Sequence, residues 1–122
     1  MKLHLTTAEN NNLITAYSDD YIEVNRIRYA HSLIVAPSEI ISPWTNAAFA
    51  DLVDADFAAA LPLQPEVVLL GTGSKHLFLH PKHYQSLSSQ GIPLECMTTA
   101  AACRTYNILM SEGRSVAAIL ML

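Results

Sequence analysis

Glu66-Val67-Val68-Leu69-Leu70-Gly71-Thr72-Gly73 is the stretch whose reading decides the fold. Four consecutive apolar residues, closed by a glycine-threonine-glycine turn, form a strand with no polar face. Such a strand belongs inside a sheet covered on both sides, the usual setting of parallel strands in α/β proteins. Downstream, Pro81 fits the first position of a helix, with Tyr84 and Leu87 on one face and Gly91 past its end. Leu94–Met97 reads as a second strand. Thr98 or Thr99 then caps a long helix through Ser111, and Gly113 supplies its C-terminal turn. Val116–Leu122 is a second wholly apolar run and a third strand. The half of the chain beginning at Val67 is therefore β-α-β-α-β, and right-handed crossovers make its three strands parallel.

Upstream, the period is shorter. Leu3–Thr6, Leu13–Ser18, Tyr21–Val24, Ile27–Tyr29 and Ser32–Ala36 read as strands, with Asp19-Asp20 as a hairpin turn. Pro37 to Pro43 reads as a loop. From Asp51, the residues Leu52, Val53, Phe57 and Leu61 repeat at helical spacing, Asp54 and Asp56 suit a helix N-terminus, and Pro62 and Pro65 end it. The expectation is one compact three-layer α/β domain over residues 1–122, with a mixed sheet and an N-terminal β-meander that extends that sheet or packs beside it.

Composition narrows the function classes. The chain has 122 residues, 51% hydrophobic and 15% charged, with a net charge of −4. A chain of this size buries about two-thirds of its unfolded surface, enough for one core. Seven Lys and Arg cannot build a broad basic face, so a nucleic-acid partner is not expected. Met1–Thr7 lacks the apolar centre of a signal peptide, and no apolar run approaches the ~20 residues that span a bilayer. Cys96 and Cys103 are too few for a disulfide framework. A cytoplasmic protein that is not integral to a membrane is expected.

The segments that could carry chemistry are few. Gly71-Thr72-Gly73 ends a buried strand, where open α/β sheets place ligands, but His76 stands where a dinucleotide fingerprint needs its third glycine. The turn therefore serves positive φ or close backbone approach, or else binds an anion with Lys75 nearby. His76, His80 and His83 would converge on a continuous helix, which Pro81 prevents, so no metal site is expected. Leu77-Phe78-Leu79 between them reads as a buried hook. On the long helix, Ala101, Thr105, Ile108 and Leu109 read as the core-facing stripe. Arg104, Asn107 and Ser111 share another face, with Arg104 free to pair with an acid such as Glu95. Cys103 lies in the first turn, where a thiol pKa can fall, though no base stands beside it in sequence. Asn107 is a poor helix former and is expected to bond something specific. No catalytic set is visible, and no cofactor is implied.

Glu66-Val-Val-Leu-Leu-Gly-Thr-Gly73, Met97, Ala101-Ala-Cys-Arg-Thr-Tyr-Asn107 and Glu112-Gly-Arg-Ser-Val-Ala-Ala118, in that order, resemble the Mth938-like family of small domains of unknown function. The likeness spans nearly the whole chain, Trp44 included. It implies a three-layer α/β fold, and a mitochondrial relative that is an assembly factor for respiratory complex I. If function is shared, the resemblance implies a site among the motif positions Gly71, Thr72, Gly73, Arg104, Tyr106, Asn107 and Arg114. The chain departs from the family in three places. Thr98-Thr99-Ala100 stands where relatives often carry Asp-Thr-Gly, Arg26 stands near a missing glycine, and His80 and His83 replace non-histidine positions. Two functions are open. One is a non-catalytic binding or assembly module with an unidentified protein partner, using an exposed patch around Ile40, Ile41 or Trp44. The other is a small-molecule or anion-binding domain, possibly an enzyme, using the Gly71–Gly73 loop and the helix N-terminus over Thr99–Asn107. A meander strand edge could also pair two copies into a homodimer.

Overall fold

A computed structural model describes residues 11–122, so the strand expected at Leu3–Thr6 lies outside the described residues. The described residues form two sheets. Strands β1 (Ile14–Tyr17), β2 (Ile22–Val24) and β3 (Ile27–Tyr29) make a three-stranded antiparallel meander in the order β1-β2-β3. The larger sheet contains β4 (Leu33–Val35), β5 (Ile40–Ile41), β6 (Val67–Gly71), β7 (Leu94–Met97) and β8 (Val116–Leu120), in the order β5-β4-β8-β6-β7. β6, β7 and β8 are parallel, and β4 runs antiparallel to β8, so the sheet is mixed. The Pro37–Pro43 segment is not all loop: Ile40–Ile41 pairs back onto β4.

Alternation along the central strands divides one apolar sequence between two cores. Val67 and Leu69 of β6, Val116, Ala118 and Leu120 of β8, and Leu33 and Val35 of β4 face one side. Val68 and Leu70, Ala117 and Ile119, and Ile34 face the other. This is the period-two consequence of burying both faces of a strand. The first side is covered by helix α3 (Thr99–Ser111) together with Ile14, Ile22 and Val24 of the meander. The second is covered by short helices α1 (Asp54–Ala58) and α2 (Gln85–Ser88) through Phe57 and Leu87, and by Leu52 and Ala60 flanking α1. Chain direction explains the division. The β6-to-β7 step and the β7-to-β8 step run in opposite directions across the sheet, so two right-handed crossovers must lie on opposite faces.

The long helix begins where its chemistry requires. The Thr98 hydroxyl accepts the Ala101 N–H at 3.2 Å, and Gly113 takes a φ of 80° past the last turn. Its buried face differs from the expected stripe. Thr99, Ala102, Cys103, Tyr106 and Met110 are buried, whereas Ile108 is 58% exposed. The expected helix from Asp51 to Leu61 also differs: α1 covers only five residues, and Pro62 sits inside a separate 3-10 turn after it, Leu61–Leu63. Trp44 is not part of an open patch. Its Nε1 donates to the Asp56 carbonyl at 2.7 Å and its ring packs on Phe57, while Ile40 and Ile41 are half-buried.

Asn107 fixes how the meander joins the rest. Its Oδ1 accepts the Ile14 N–H at 3.0 Å and its Nδ2 donates to the Ile14 carbonyl at 2.8 Å. One amide side chain thus completes the outer edge of β1 as a neighbouring strand would. The turn from β2 to β3 places both Asn25 and Arg26 at positive φ, 51° and 72°. Arg26 is thus the position near which the family resemblance implies a glycine, and the backbone there adopts a conformation that glycine favours.

Candidate functional site

The turn after β6 and the start of α3 after β7 lie side by side, as the strand order requires. They are also tied together. The Gly73 N–H donates to Thr99 Oγ1 at 2.8 Å, the Thr99 N–H donates to the Gly73 carbonyl at 2.9 Å, and the Thr99 hydroxyl donates to the Met121 carbonyl at 2.7 Å. A single buried hydroxyl thereby joins the C-terminal ends of β6, β7 and β8. Thr72 organises the turn itself: its Oγ1 donates to the Lys75 carbonyl and accepts the Leu77 N–H at 3.1 Å.

Both glycines answer structural needs. A Cβ on Gly71 would stand 2.7 Å from Thr99 Cα, closer than packing allows, and Gly73 has a φ of 97°. The helix can approach the sheet because Gly71 has no side chain. In open α/β sheets a crevice forms where successive connections leave on opposite faces, which here is between β6 and β7. In this chain Thr99 closes that crevice, and the open space lies beside it.

That space is a groove of about 510 Å³ between Gly73-Ser74, the helix start Thr98–Ala100, Leu122 and the hairpin residues Tyr17, Ser18 and Asp19. A second hollow of about 480 Å³ lies across Gly73 and Leu122, against His31, Ser32 and Thr45–Phe49. Among the described residues, Asp19 is the only charged residue lining the first groove. Asp19 brings negative charge to one wall, while the helix N-terminus and Arg104, bonded to the lining residue Tyr17, bring positive charge to another.

The residues singled out from the sequence fall into three places. Gly71, Thr72 and Gly73 form the turn, and Arg104 reaches its rim, donating from Nη1 to Tyr17 Oη at 3.1 Å. Arg104 therefore does not pair with Glu95. Tyr106 and Asn107 hold the meander instead: Tyr106 Oη donates to the Asn12 carbonyl at 2.7 Å, and burial raises the Tyr106 hydroxyl pKa. Arg114 lies at the opposite end of the parallel strands, 3.3 Å from Glu66. Burial pushes the Cys103 thiol up to about 12 against the opposing charge of nearby Arg104, so the thiol is protonated at neutral pH. Among the described residues no group of His, Cys, Asp or Glu is arranged to hold a metal ion. His80 caps a 3-10 turn, its Nδ1 accepting the Lys82 N–H at 3.1 Å, while the His76 ring packs on Phe78 at 4.4 Å.

Two features were missed in the sequence. Tyr17, Ser18 and Asp19 complete the groove, although only a hairpin turn was legible there. Leu77-Phe78-Leu79 is not a buried hook: Phe78 is 80% exposed and Leu77 37%, and only Leu79 packs inward.

Comparison with known proteins gives a family and a fold. A family model described as a protein of unknown function (DUF498/DUF598) matches residues 14–121. The chain is 31% identical over 110 residues to NADH dehydrogenase [ubiquinone] 1 alpha subcomplex assembly factor 3 of Mus musculus, covering 88% of this chain. It spans 59% of that relative's length. It is 27% identical to the 13 kDa major membrane protein of Francisella tularensis, covering 76% of each chain. Among solved structures, a Bordetella parapertussis protein superposes with a TM-score of 0.85 at 42% identity, covering 91% of this chain and 95% of that one. A Bordetella pertussis protein described as a Mth938-like domain superposes with a TM-score of 0.80 at 35% identity, covering 90% and 85%.

Proposed function

The chain belongs to the DUF498/DUF598 family, and on that premise we propose that it is a non-catalytic protein-docking module of the assembly-factor kind. The observation that carries this reading is the likeness to the mouse assembly factor, 31% identical across 88% of the chain. A docking role asks for a rigid scaffold and exposed apolar side chains, and Phe78 and Ile108 are two large ones exposed on opposite faces of the sheet that a partner could reach. Affinity isolation of the tagged full chain from its native cells under mild conditions tests it. One protein recovered in near-stoichiometric amount is the expected result. Recovery of nothing above a tag-only control would remove the docking reading.

A second reading has the groove of about 510 Å³ in its favour: a small-molecule site at the C-terminal ends of the parallel strands. Asp19 on one wall suits a ligand that presents a hydrogen-bond donor or positive charge there. A ligand at 100 times its Kd stabilises the chain by roughly 2.7 kcal/mol, a shift that Ala100→Trp would abolish by filling the groove. No shift across a metabolite panel would discard this reading.

We assign the module to the cytoplasm, where a reducing environment suits the unpaired Cys96 and Cys103. No helix among the described residues is long and apolar enough to cross a membrane. Since the Francisella relative is named a membrane protein, fractionation is the direct check, and recovery in the membrane pellet would overturn the assignment.

A further inference from the structure

The segment from Ser74 to His83 has a composition unlike the rest of the chain. No Asp or Glu occurs between Glu66 and Glu95, whereas this short segment carries Lys75, Lys82, His76, His80 and His83 in a protein of net charge −4. At its apex stand Leu77 and Phe78, the latter 80% exposed, more than any other large hydrophobic residue among those described. Neither lysine forms an ion pair among the described residues. Asp54 is the carboxylate that a neighbouring element brings to the helix following this segment, and the Ser86 N–H and hydroxyl already occupy it.

The loop presents this apex in a fixed form. Thr72 Oγ1 bonds both Lys75 and Leu77, the His76 ring packs on the Phe78 ring, and Leu79 is anchored in the core beneath α1 and α2. A pre-positioned aromatic side chain loses little freedom on docking, and aromatic anchors entering a pocket dominate protein interfaces. Cations around such an anchor act as a rim that steers an oppositely charged surface. A lipid surface fits less well. Even a whole myristoyl chain binds membranes only marginally, and one phenyl ring with two lysines offers less apolar surface than that.

We propose that the loop Ser74–His80, with Lys82 beside it, is the docking element of this module, and that its partner is an acidic protein surface with an apolar pocket that receives the Phe78 ring. This rests on the docking reading and names the face and the kind of partner.

The test places a photo-reactive benzoylphenylalanine at position 78 of the full chain in its native cells, and at position 108 for comparison. Ile108 is 58% exposed on the helix covering the other face of the sheet, so it reports a different surface. The expected result is one protein captured from position 78 and not from 108. Binding of that purified protein should weaken roughly tenfold or more in Phe78→Ser, and again in Lys75→Glu/Lys82→Glu, and should weaken with added salt. An unchanged melting temperature in Phe78→Ser separates lost docking from lost folding. Capture from 108 alone would overturn this surface while leaving the docking role intact, and capture from neither position would count against both. Equal binding by the Lys→Glu variant would overturn the acidic partner. Phe78-dependent sedimentation with phosphatidylcholine–phosphatidylserine vesicles would assign the loop to a lipid surface instead.

Discussion

The central strands and the N-terminal meander are held in place by different physics. β6 and β8 are buried along their whole length, with apolar side chains on both faces and a hydrogen-bonded strand on each side. The meander commits one apolar face, Ile14, Ile22 and Val24, and its last strand is largely exposed. What locates it is polar: Asn107 on both backbone groups of Ile14, Tyr106 on the Asn12 carbonyl, and Asn12 Nδ2 on the Ala36 carbonyl at 2.9 Å. Apolar contact supplies adhesion in both regions. Only in the meander do a few directional bonds select the register, because a half-covered sheet could slide while keeping much of its contact.

Substitutions in the two regions should therefore differ in size and in reach. The largest loss is expected from Leu69→Ala in β6, roughly 2–5 kcal/mol from lost burial and the cavity left behind. Denaturant unfolding would measure it, and a loss under about 1 kcal/mol would contradict the primacy of the central strands. Asn107→Ala should cost less, roughly 1–3 kcal/mol, because two backbone groups of Ile14 lose their partner. Hydrogen exchange gives the sharper test: the amides of β1 and β2 should exchange faster while those of β6 and β8 stay protected. Uniform acceleration would mean that the two regions unfold as one. Arg26→Gly should change stability in the opposite direction, by about 1 kcal/mol, since a φ of 72° strains any side chain there. A melting temperature that falls would show that the Arg26–Glu23 contact matters more than the backbone.

The smallest expected effect is in acid. Glu23 is held below the usual carboxylate range mainly by the Thr15 hydroxyl, helped by Arg28 and Arg26, and Glu66 by the Ser115 N–H and then Arg114. Depressed carboxylate pKa values contribute stability above the unfolded value of 4.5 that is lost as pH falls through the folded values. Glu23→Gln in the meander and Glu66→Gln beside β6 should each flatten the acid limb of a stability–pH curve. An unchanged limb in either variant would dismiss that carboxylate's contribution.

The same division governs what could be read in advance. The parallel core was legible because Val67–Leu70 and Val116–Leu120 are apolar on both faces, and because Thr98, Pro81 and Gly113 punctuate it. Gly73 and Thr99 meet because β6 and β7 are neighbours in the sheet. The buried face of α3 was misplaced because alanines occupy both faces of its first turns, leaving weak contrast. The residues that decide the matter, Cys103 and Tyr106, also carry polar atoms. Trp44 lost its exposure to a backbone carbonyl twelve residues away, which no local pattern encodes. Leu77–Leu79 misled for the opposite reason: an apolar triplet reads as core, and only the packed chain shows that its middle residue faces outward. The groove was half legible, since the wall contributed by Tyr17–Asp19 depends on how the meander docks.

The strand order carries a consequence for how this protein comes into being. β8, the last strand in sequence, lies in the middle of the sheet, between β4 and β6. During synthesis the ribosome therefore releases two half-sheets, β4–β5 and β6–β7, that share no hydrogen-bonded border until residues 116–120 have emerged. Each meanwhile exposes an apolar edge of the kind that pairs with stray strands. The nascent chain depends on a keystone that emerges only after both of its neighbours.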